Sequence, residues 1–217
     1  MAGTRIESSS RNMENHKEMT AQESLKIISE TLDGSRKEIV RSTGKYFIVW
    51  GLLLTAFSVL VFILWKTTGK SAWNNLWFAM PLAGYPLSAW LKSLESGQHA
   101  ENFISRTNGD IWKSFFIIAS SAAAFSVLSA FPGKNGIASL TLLANLTALI
   151  IVLFGLAETV SGFVLKNLSI KIAGWITGIG GLAIYHFIGP VEEQMLIFTF
   201  AGVVLAGTGL IVKHQYR

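Results

Sequence analysis

The chain has no cysteine, and it is poor in charge, because only 14% of its 217 residues are Asp, Glu, Lys or Arg. Without cysteine it can form neither a disulfide scaffold nor a thiolate metal site. Soluble globular chains carry about 25% charged residues, so this chain lacks the polar surface that a water-soluble fold needs. Apolar residues make up 51% of the sequence and form long blocks. The composition therefore predicts an all-α, polytopic membrane protein.

Six apolar blocks are long enough to cross a bilayer, whose hydrocarbon core of about 30 Å needs roughly 20 residues of helix. Lipid cannot satisfy backbone polar groups, so each block is expected to be helical. The predicted spans are residues 46–65, 73–91, 112–131, 137–157, 172–188 and 194–212. Tryptophans near span ends, Trp112 among them, are expected at the lipid headgroups.

The Lys and Arg residues are distributed unequally over the segments that join these spans. With a cytoplasmic N-terminus, 15 of the 18 basic residues lie inside and three lie outside. Positive residues favour the cytoplasmic side of a membrane, so we expect both termini to lie in the cytoplasm. The membrane itself is expected to be the inner (plasma) membrane of the cell. The net charge of +5 is then explained by basic residues that lie at the cytoplasmic ends of the spans and bind anionic membrane lipids. It gives no reason to expect nucleic acid as a partner.

The segment before the first span divides into two parts. Residues 1–19 are typical of a disordered cytoplasmic tail. Thr20 and Glu23 then match a capping box, which predicts the start of an amphipathic helix over residues 20–43, interrupted near Gly34. The apolar residues that recur along this helix are Leu25, Ile28, Leu32 and Ile39.

The apolar face of this helix predicts a partner-binding surface. Its polar side mixes both signs of charge, whereas a helix that lies on a membrane is rich in Lys and Arg. Two interpretations stay open: it binds a cytoplasmic or membrane protein or a second copy of the chain, or it packs on the chain's own inner loop.

The hexapeptide Glu-Ser-Leu-Lys-Ile-Ile that begins at Glu23, followed by an amphipathic stretch and a first span with Trp50-Gly51, resembles uncharacterised bacterial six-helix inner-membrane proteins. The resemblance covers about the first quarter of the chain. It implies a bacterial inner membrane, and it implies no activity and no functional residue.

Glu158 is the only acidic residue that falls within an apolar block, when the fourth block is extended to Leu165. Carboxylates inside a membrane often belong to transport pathways, so Glu158 is a candidate site for a proton or a cation. It also lies eight residues before Lys166, and this proximity favours a position near the inner headgroups, where it would pair with a lysine.

The fourth span carries a stripe of small or polar residues: Thr141, Asn145, Ala148, Val152, Gly155, Thr159 and Gly162. Such a stripe favours a helix–helix interface, with a polar pathway through Asn145 as the alternative. Glycines of the fifth and sixth spans, including Gly178 and Gly202, are expected to pack these two spans against each other, with a dimer face as the alternative.

The second span contains Pro81, Tyr85 and Pro86 near its middle. Proline removes a backbone donor and disturbs the preceding turn, so a kink or a local break is expected there. Transporters often build substrate sites at such breaks, although a kink that only packs against neighbouring helices is the favoured interpretation.

The four histidines are scattered and no catalytic motif is present, so we expect neither an enzyme nor a cofactor or metal site. The leading hypothesis is a non-enzymatic membrane adaptor or regulator that presents the helix 20–43 to a protein partner. The alternative is a small transporter or channel that uses Pro81, Tyr85, Pro86, Asn145 and Glu158.

Overall fold

The computed structural model describes residues 21–94, 103–129 and 136–216, with side chains given for 22–94, 103–125 and 146–216. Every regular element in these ranges is helical. The α-helices are α1 (Ala21–Thr68), α2 (Ala79–Leu94), α3 (Phe103–Ser129), α4 (Gly136–Val164), α5 (Leu168–Trp175), α6 (Gly181–Phe187) and α7 (Met195–Gln215). A 3₁₀ helix (Ser71–Phe78) precedes α2, and a π-helical segment (Ile176–Gly180) joins α5 to α6.

Four helical stretches within the described residues are long and apolar enough to cross a membrane: Gln22–Thr68, Leu146–Val164, Leu168–Phe187 and Met195–Gln215. Large apolar side chains such as Leu52, Val203 and Leu210 are exposed along them. An exposed apolar surface of this kind suits contact with lipid. The fold is therefore that of an all-helical protein with several membrane-length helices, and it confirms the predicted fold class at this level.

The chain forms two compact units, Met1–Lys37 and Glu38–Arg217. Of the first unit, the structure describes residues 21–37, all helical. The helix does not stop at Gly34, where an interruption was expected, and a Cβ atom there would have nothing within 4 Å. The predicted tail, residues 1–19, lies outside the described residues, as does Thr20 of the capping box.

Small residues bring α1 and α7 into close contact. A Cβ atom on Gly51 would lie 2.5 Å from the backbone nitrogen of Ala206, and one on Gly44 would lie 3.2 Å from the carbonyl oxygen of Gly209. Gly202 in turn faces the side chain of Thr55. Missing side chains let two helix backbones approach closely, so these glycines fix the α1–α7 crossing.

A second glycine contact joins α4 to α5 and the π-helical segment. A Cβ atom on Gly155 would lie 2.7 Å from the carbonyl oxygen of Gly174, and Gly162 faces the backbone of Lys171. The stripe of the fourth span is therefore a helix–helix interface along Gly155, Thr159 and Gly162, although Val152 is exposed. The expectation that glycines pair the fifth span with the sixth holds only at Gly180, where a Cβ atom would lie 3.2 Å from the ring of Phe200 in α7. Gly174 and Gly178 face α4 instead, and Gly202 and Gly209 face α1.

The prolines of the predicted second span do not break a helix. Pro81 lies in the first turn of α2, where its missing N–H matters little, and Pro86 lies inside the same helix. The departure from α-helical geometry comes earlier, in the 3₁₀ helix. The local break expected over residues 81–86 is therefore absent.

Candidate functional site

A cavity of about 970 Å³ lies between α1, the 3₁₀ helix, α2, α3, α4 and α7. Its lining residues all belong to the unit Glu38–Arg217. Pockets of roughly 300–1,000 Å³ that are mainly apolar and carry a few polar groups are typical of small-molecule sites, and this cavity fits that description. Its large apolar residues include Phe47, Trp50, Trp77, Trp112, Phe116 and Phe198.

Three aromatic rings from three helices meet in the middle of the cavity wall. The ring centroid of Trp50 lies 5.7 Å from that of Tyr85 and 5.3 Å from that of Phe116. The indole N–H of Trp50 donates to Ser88 at 3.0 Å, which fixes the ring against α2. A Cβ atom at Gly84 would collide with the same ring, so this close approach requires a glycine.

One end of the cavity is built around Trp112 of α3. Its ring centroid lies 5.7 Å from that of Phe47, 5.9 Å from that of Phe115 and 5.5 Å from that of Phe154. These edge-to-face contacts hold the indole of Trp112 in the cavity wall, where α1, α3 and α4 meet. The sequence had predicted that this ring contacts the lipid headgroups.

The other end lies beside the 3₁₀ helix and the start of α7. Trp77 and Phe198 pack there with ring centroids 5.1 Å apart. Glu192 also lines this end, next in sequence to Glu193, whose carboxylate accepts a hydrogen bond of 2.8 Å from Lys66.

Three polar atoms of lining residues are buried without a hydrogen-bond partner among the described residues. They are the side-chain carbonyl oxygens of Asn74 and Asn108 and the indole nitrogen of Trp112. Buried polar atoms usually find a partner. These three atoms are closed off by the surrounding protein and are not exposed to the cavity, so they are polar atoms enclosed in its wall.

The five predicted transport residues do not converge on one site. Pro81 and Tyr85 line the cavity, whereas Pro86 is exposed and Glu158 is elsewhere. The side chain of Asn145 lies outside the described side chains. The structure therefore supports the second span as part of a site and separates Glu158 from it.

Glu158 is fully buried between α4 and the π-helical segment. Its Oε2 accepts a hydrogen bond of 3.0 Å from the hydroxyl of Thr177, which is itself fully buried. The Oε1 atom has no partner in the described part of the chain, and neither does the hydroxyl of Ser161 one turn further along α4. The expected lysine partner was wrong, because the carboxyl group is buried between helices and its hydrogen bond comes from Thr177. The position of Glu158 near the inner headgroups stays a prediction.

The four predicted partner-binding residues divide between the two units. Leu25, Ile28 and Leu32 belong to the first unit, and 66%, 55% and 49% of their surfaces are exposed. Ile39 belongs to the second unit and is partly buried against its hydrophobic core. Ile39 is therefore a core residue, and the exposed apolar set contains the other three.

Sequence reasoning missed Asn108 and the role of Trp112. A usable signal was present in the aromatic pattern, since Phe47 and Trp50 are three residues apart on α1 and Trp112 and Phe116 are four apart on α3. Such spacing places side chains on one helix face. It does not reveal that the two faces border the same cavity.

Comparison with protein-family models, with curated proteins and with solved structures gives no match for this chain. Within the described residues, no group of three or more His, Asp or Glu side chains is placed to hold a metal ion. Function is therefore inferred from the cavity and from the exposed apolar residues.

Proposed function

We propose that the chain is a multi-pass protein of a bacterial inner membrane, with six spans and both termini in the cytoplasm. Four membrane-length helices support this topology, and α3 contains most of the predicted third span. The 3₁₀ helix and α2 together cover the residues of the predicted second span. The excess of Lys and Arg in the predicted inner segments supports the orientation.

The absence of cysteine makes this topology directly testable. A membrane-impermeant maleimide should label Lys70→Cys in intact spheroplasts, because residue 70 lies in a predicted outer loop. It should label Lys92→Cys only after the membrane is permeabilised. Labelling of both variants in intact spheroplasts would contradict the proposed orientation.

Within this topology, the cavity supports the function of a small transporter for apolar or amphipathic molecules. The single observation that carries this proposal is the 970 Å³ volume with its aromatic wall. Because the wall is apolar, its occupant must present an apolar surface to it. Pro81 and Tyr85 of α2 contribute to the wall, in agreement with the alternative hypothesis from the sequence.

The test is transfer of a fluorescent amphiphile between the leaflets of liposomes. A nitrobenzoxadiazole-labelled alkyl amphiphile in empty liposomes is bleached by dithionite only in the outer leaflet. With the full chain present, the inner-leaflet pool should be bleached as well. Ala119→Phe should suppress this transfer, because Ala119 lines the cavity and a phenyl ring would fill it.

The matched control is Ala124→Phe, which adds the same ring to an exposed residue of α3 that does not line the cavity. It should transfer the amphiphile as the unmodified chain does. Equal loss in both variants, or no transfer by the unmodified chain, would count against the transporter proposal.

A second candidate function is a non-enzymatic adaptor that binds a cytoplasmic or membrane protein. The specific observation behind it is the exposure of Leu25, Ile28 and Leu32. Changing all three to Asp should abolish partner capture from gently solubilised membranes. The paired control, Gln22→Asp with Ser29→Asp, alters two exposed polar residues of the same helix and should leave capture intact. Equal capture by the triple variant would remove this candidate.

A further inference from the structure

Glu192 is a charged residue of the cavity lining, at the end beside the 3₁₀ helix and the start of α7. Among the described lining residues only Lys113 is also charged, and its ammonium group is paired with Asp110 at 3.3 Å. Glu192 takes part in no ion pair within the part of the chain that the structure describes. It is partly exposed, so its carboxylate is accessible to a ligand, unlike the polar atoms enclosed in the wall.

The surrounding charges do not neutralise Glu192. The ammonium group of Lys66 donates a hydrogen bond to Glu193 at 2.8 Å, and it acts on Glu192 only through space. Lys70 is exposed and is not among the residues that line the cavity. The described lining at this end therefore carries one negative charge.

The backbone before α7 directs Glu192 towards the cavity. The amide nitrogens of Gln194, Met195 and Leu196 each donate to the carbonyl oxygen three residues earlier. With three residues per turn, side chains three positions apart lie above one another. Glu192 and Met195 therefore share a face, which continues to Phe198 in α7, and all three line the cavity. The carboxylate lies about 10 Å along the axis from Phe198.

Two indole rings border the same end of the cavity. Trp65 directly precedes Lys66, whose ion pair with Glu193 joins α1 to the loop that carries Glu192. Trp77 belongs to the 3₁₀ helix. Both indoles line the cavity and are partly exposed. Proteins recognise quaternary ammonium groups with the faces of such rings, and a nearby carboxylate adds a favourable charge.

The rest of the cavity suits an apolar body. Lining residues of α3 continue from Asn108 through Phe116 to Ala123, which corresponds to about 22 Å of helix. An extended alkyl chain that starts at Glu192 therefore has room along the aromatic wall. An anionic head group would be repelled by Glu192, and a neutral head group would gain nothing from its charge.

We infer that the cavity is selective for organic cations, in the form of an amphiphile whose quaternary ammonium head lies at Glu192, Trp65 and Trp77. This inference rests on the proposed function, since it names the substrate class of the same cavity. Glu192 determines the sign of charge that the site accepts. The aromatic wall binds the apolar body.

The experiment measures tryptophan quenching by brominated probes, with the full chain in nanodiscs of phosphatidylcholine, a lipid without net charge. The three probes have one chain length and carry bromine at the tail. They are ω-bromoundecyl-trimethylammonium, its neutral isostere with a tert-butyl head, and ω-bromoundecane-sulfonate. Bromine quenches indoles at short range, and a tail that starts at Glu192 extends towards Trp50 in the middle of the cavity wall. Probe in the lipid quenches in proportion to its mole fraction, whereas quenching from the cavity saturates.

The ammonium probe should bind about tenfold more tightly than the tert-butyl probe, because a cation is attracted by the indole faces and by the carboxylate. The sulfonate probe should bind no more tightly than the tert-butyl probe. Affinities are compared at equal mole fraction of probe in the lipid. Ala119→Phe, which fills the cavity, should remove the saturable quenching of all three probes.

Glu192→Gln keeps the size of the side chain and removes its charge. It should lower the preference for the ammonium probe to about threefold, since the indole rings remain. Its affinity for the tert-butyl probe should stay within about twofold, which also shows that the variant is folded. The matched control combines Lys66→Gln with Glu193→Gln, which removes a neutral ion pair beside the site and should keep the full preference.

The results that would overturn the inference differ in what else they affect. Equal saturable affinity for the ammonium and tert-butyl probes, or an undiminished preference in Glu192→Gln, would refute the cation site and leave the proposed cavity function standing. Tightest binding of the sulfonate would do the same. No saturable quenching by any probe would refute the cavity function together with the inference.

Discussion

Replacing Thr177 with valine removes the hydroxyl that donates to Glu158 while keeping the shape of the side chain. The Oε2 atom of Glu158 accepts that hydrogen bond at 3.0 Å, and the Oε1 atom already lacks a partner in the described structure. Thr177→Val therefore leaves a fully buried carboxyl group without any hydrogen bond from a described residue. Removing one partner of a buried polar group destabilises a protein by about 1–3 kcal/mol.

Measurements in membrane proteins narrow this range, since single side-chain hydrogen bonds there contribute about 0.6 kcal/mol on average and at most about 1.7 kcal/mol. We therefore expect Thr177→Val to lower the free energy of unfolding by about 0.6–1.7 kcal/mol. In a Glu158→Met background the hydroxyl has no carboxyl group to bind, and the same change should then lower it by less than about 0.5 kcal/mol.

The assay is unfolding by SDS in mixed micelles, followed by circular dichroism, for the four members of this double-mutant cycle. Thr208→Val is the matched control, because Thr208 is also buried but donates to the carbonyl oxygen of Val204 in its own helix. That change should be nearly neutral, since the carbonyl keeps its backbone hydrogen bond. If Thr177→Val destabilised both backgrounds equally, the hydrogen bond would not be the cause and the reasoning would be refuted.

Two further predictions concern two glycines of α1 and the ion pair of Lys66. Gly51→Ala should destabilise the chain by about 1–3 kcal/mol, because its Cβ atom would lie 2.5 Å from a backbone atom of α7; Gly34→Ala, with open space around it, should instead stabilise the helix by up to about 1 kcal/mol. The same SDS titration measures both, and equal effects would contradict the assigned contact. Lys66→Gln should leave the unfolding free energy almost unchanged, because the ion pair with Glu193 is exposed to solvent and screened by it. A larger loss that persists at high salt would show that this pair is more than a surface contact.

Hydropathy predicted much of the fold because long apolar blocks can hardly be anything but helices in lipid. The block at 46–65 lies inside α1, and the block at 194–212 lies in α7 except for its first residue. The stripe through Gly155 and Gly162 forms a helix interface as expected. Hydropathy does not state which helices are neighbours. For this reason the glycines of α7 were assigned to the wrong partner, although their role in close packing was predicted correctly.

The candidate site was predicted only in part, for the same physical reason. The prolines of the second span singled out Pro81 and Tyr85, which line the cavity. They predicted a kink, with a local break as the alternative, and α2 continues without a break. Trp112 was predicted at the lipid headgroups because it lies near the end of a predicted span. The sequence alone does not show its ring contacts with Phe47 and Phe154. The burial of Glu158 also depends on a neighbouring helix, so its distance along the chain from Lys166 was a poor guide.

The contact between α1 and α7 has a consequence for how the chain is made. Gly51 and Gly202 meet in the structure, yet roughly 150 residues separate them in the order of synthesis. A ribosome adds about 5–20 residues per second, so α7 is completed roughly 8–30 s after the middle of α1. During that interval the glycine face of α1 has no partner from its own chain, and the bundle can close only when α7 is complete.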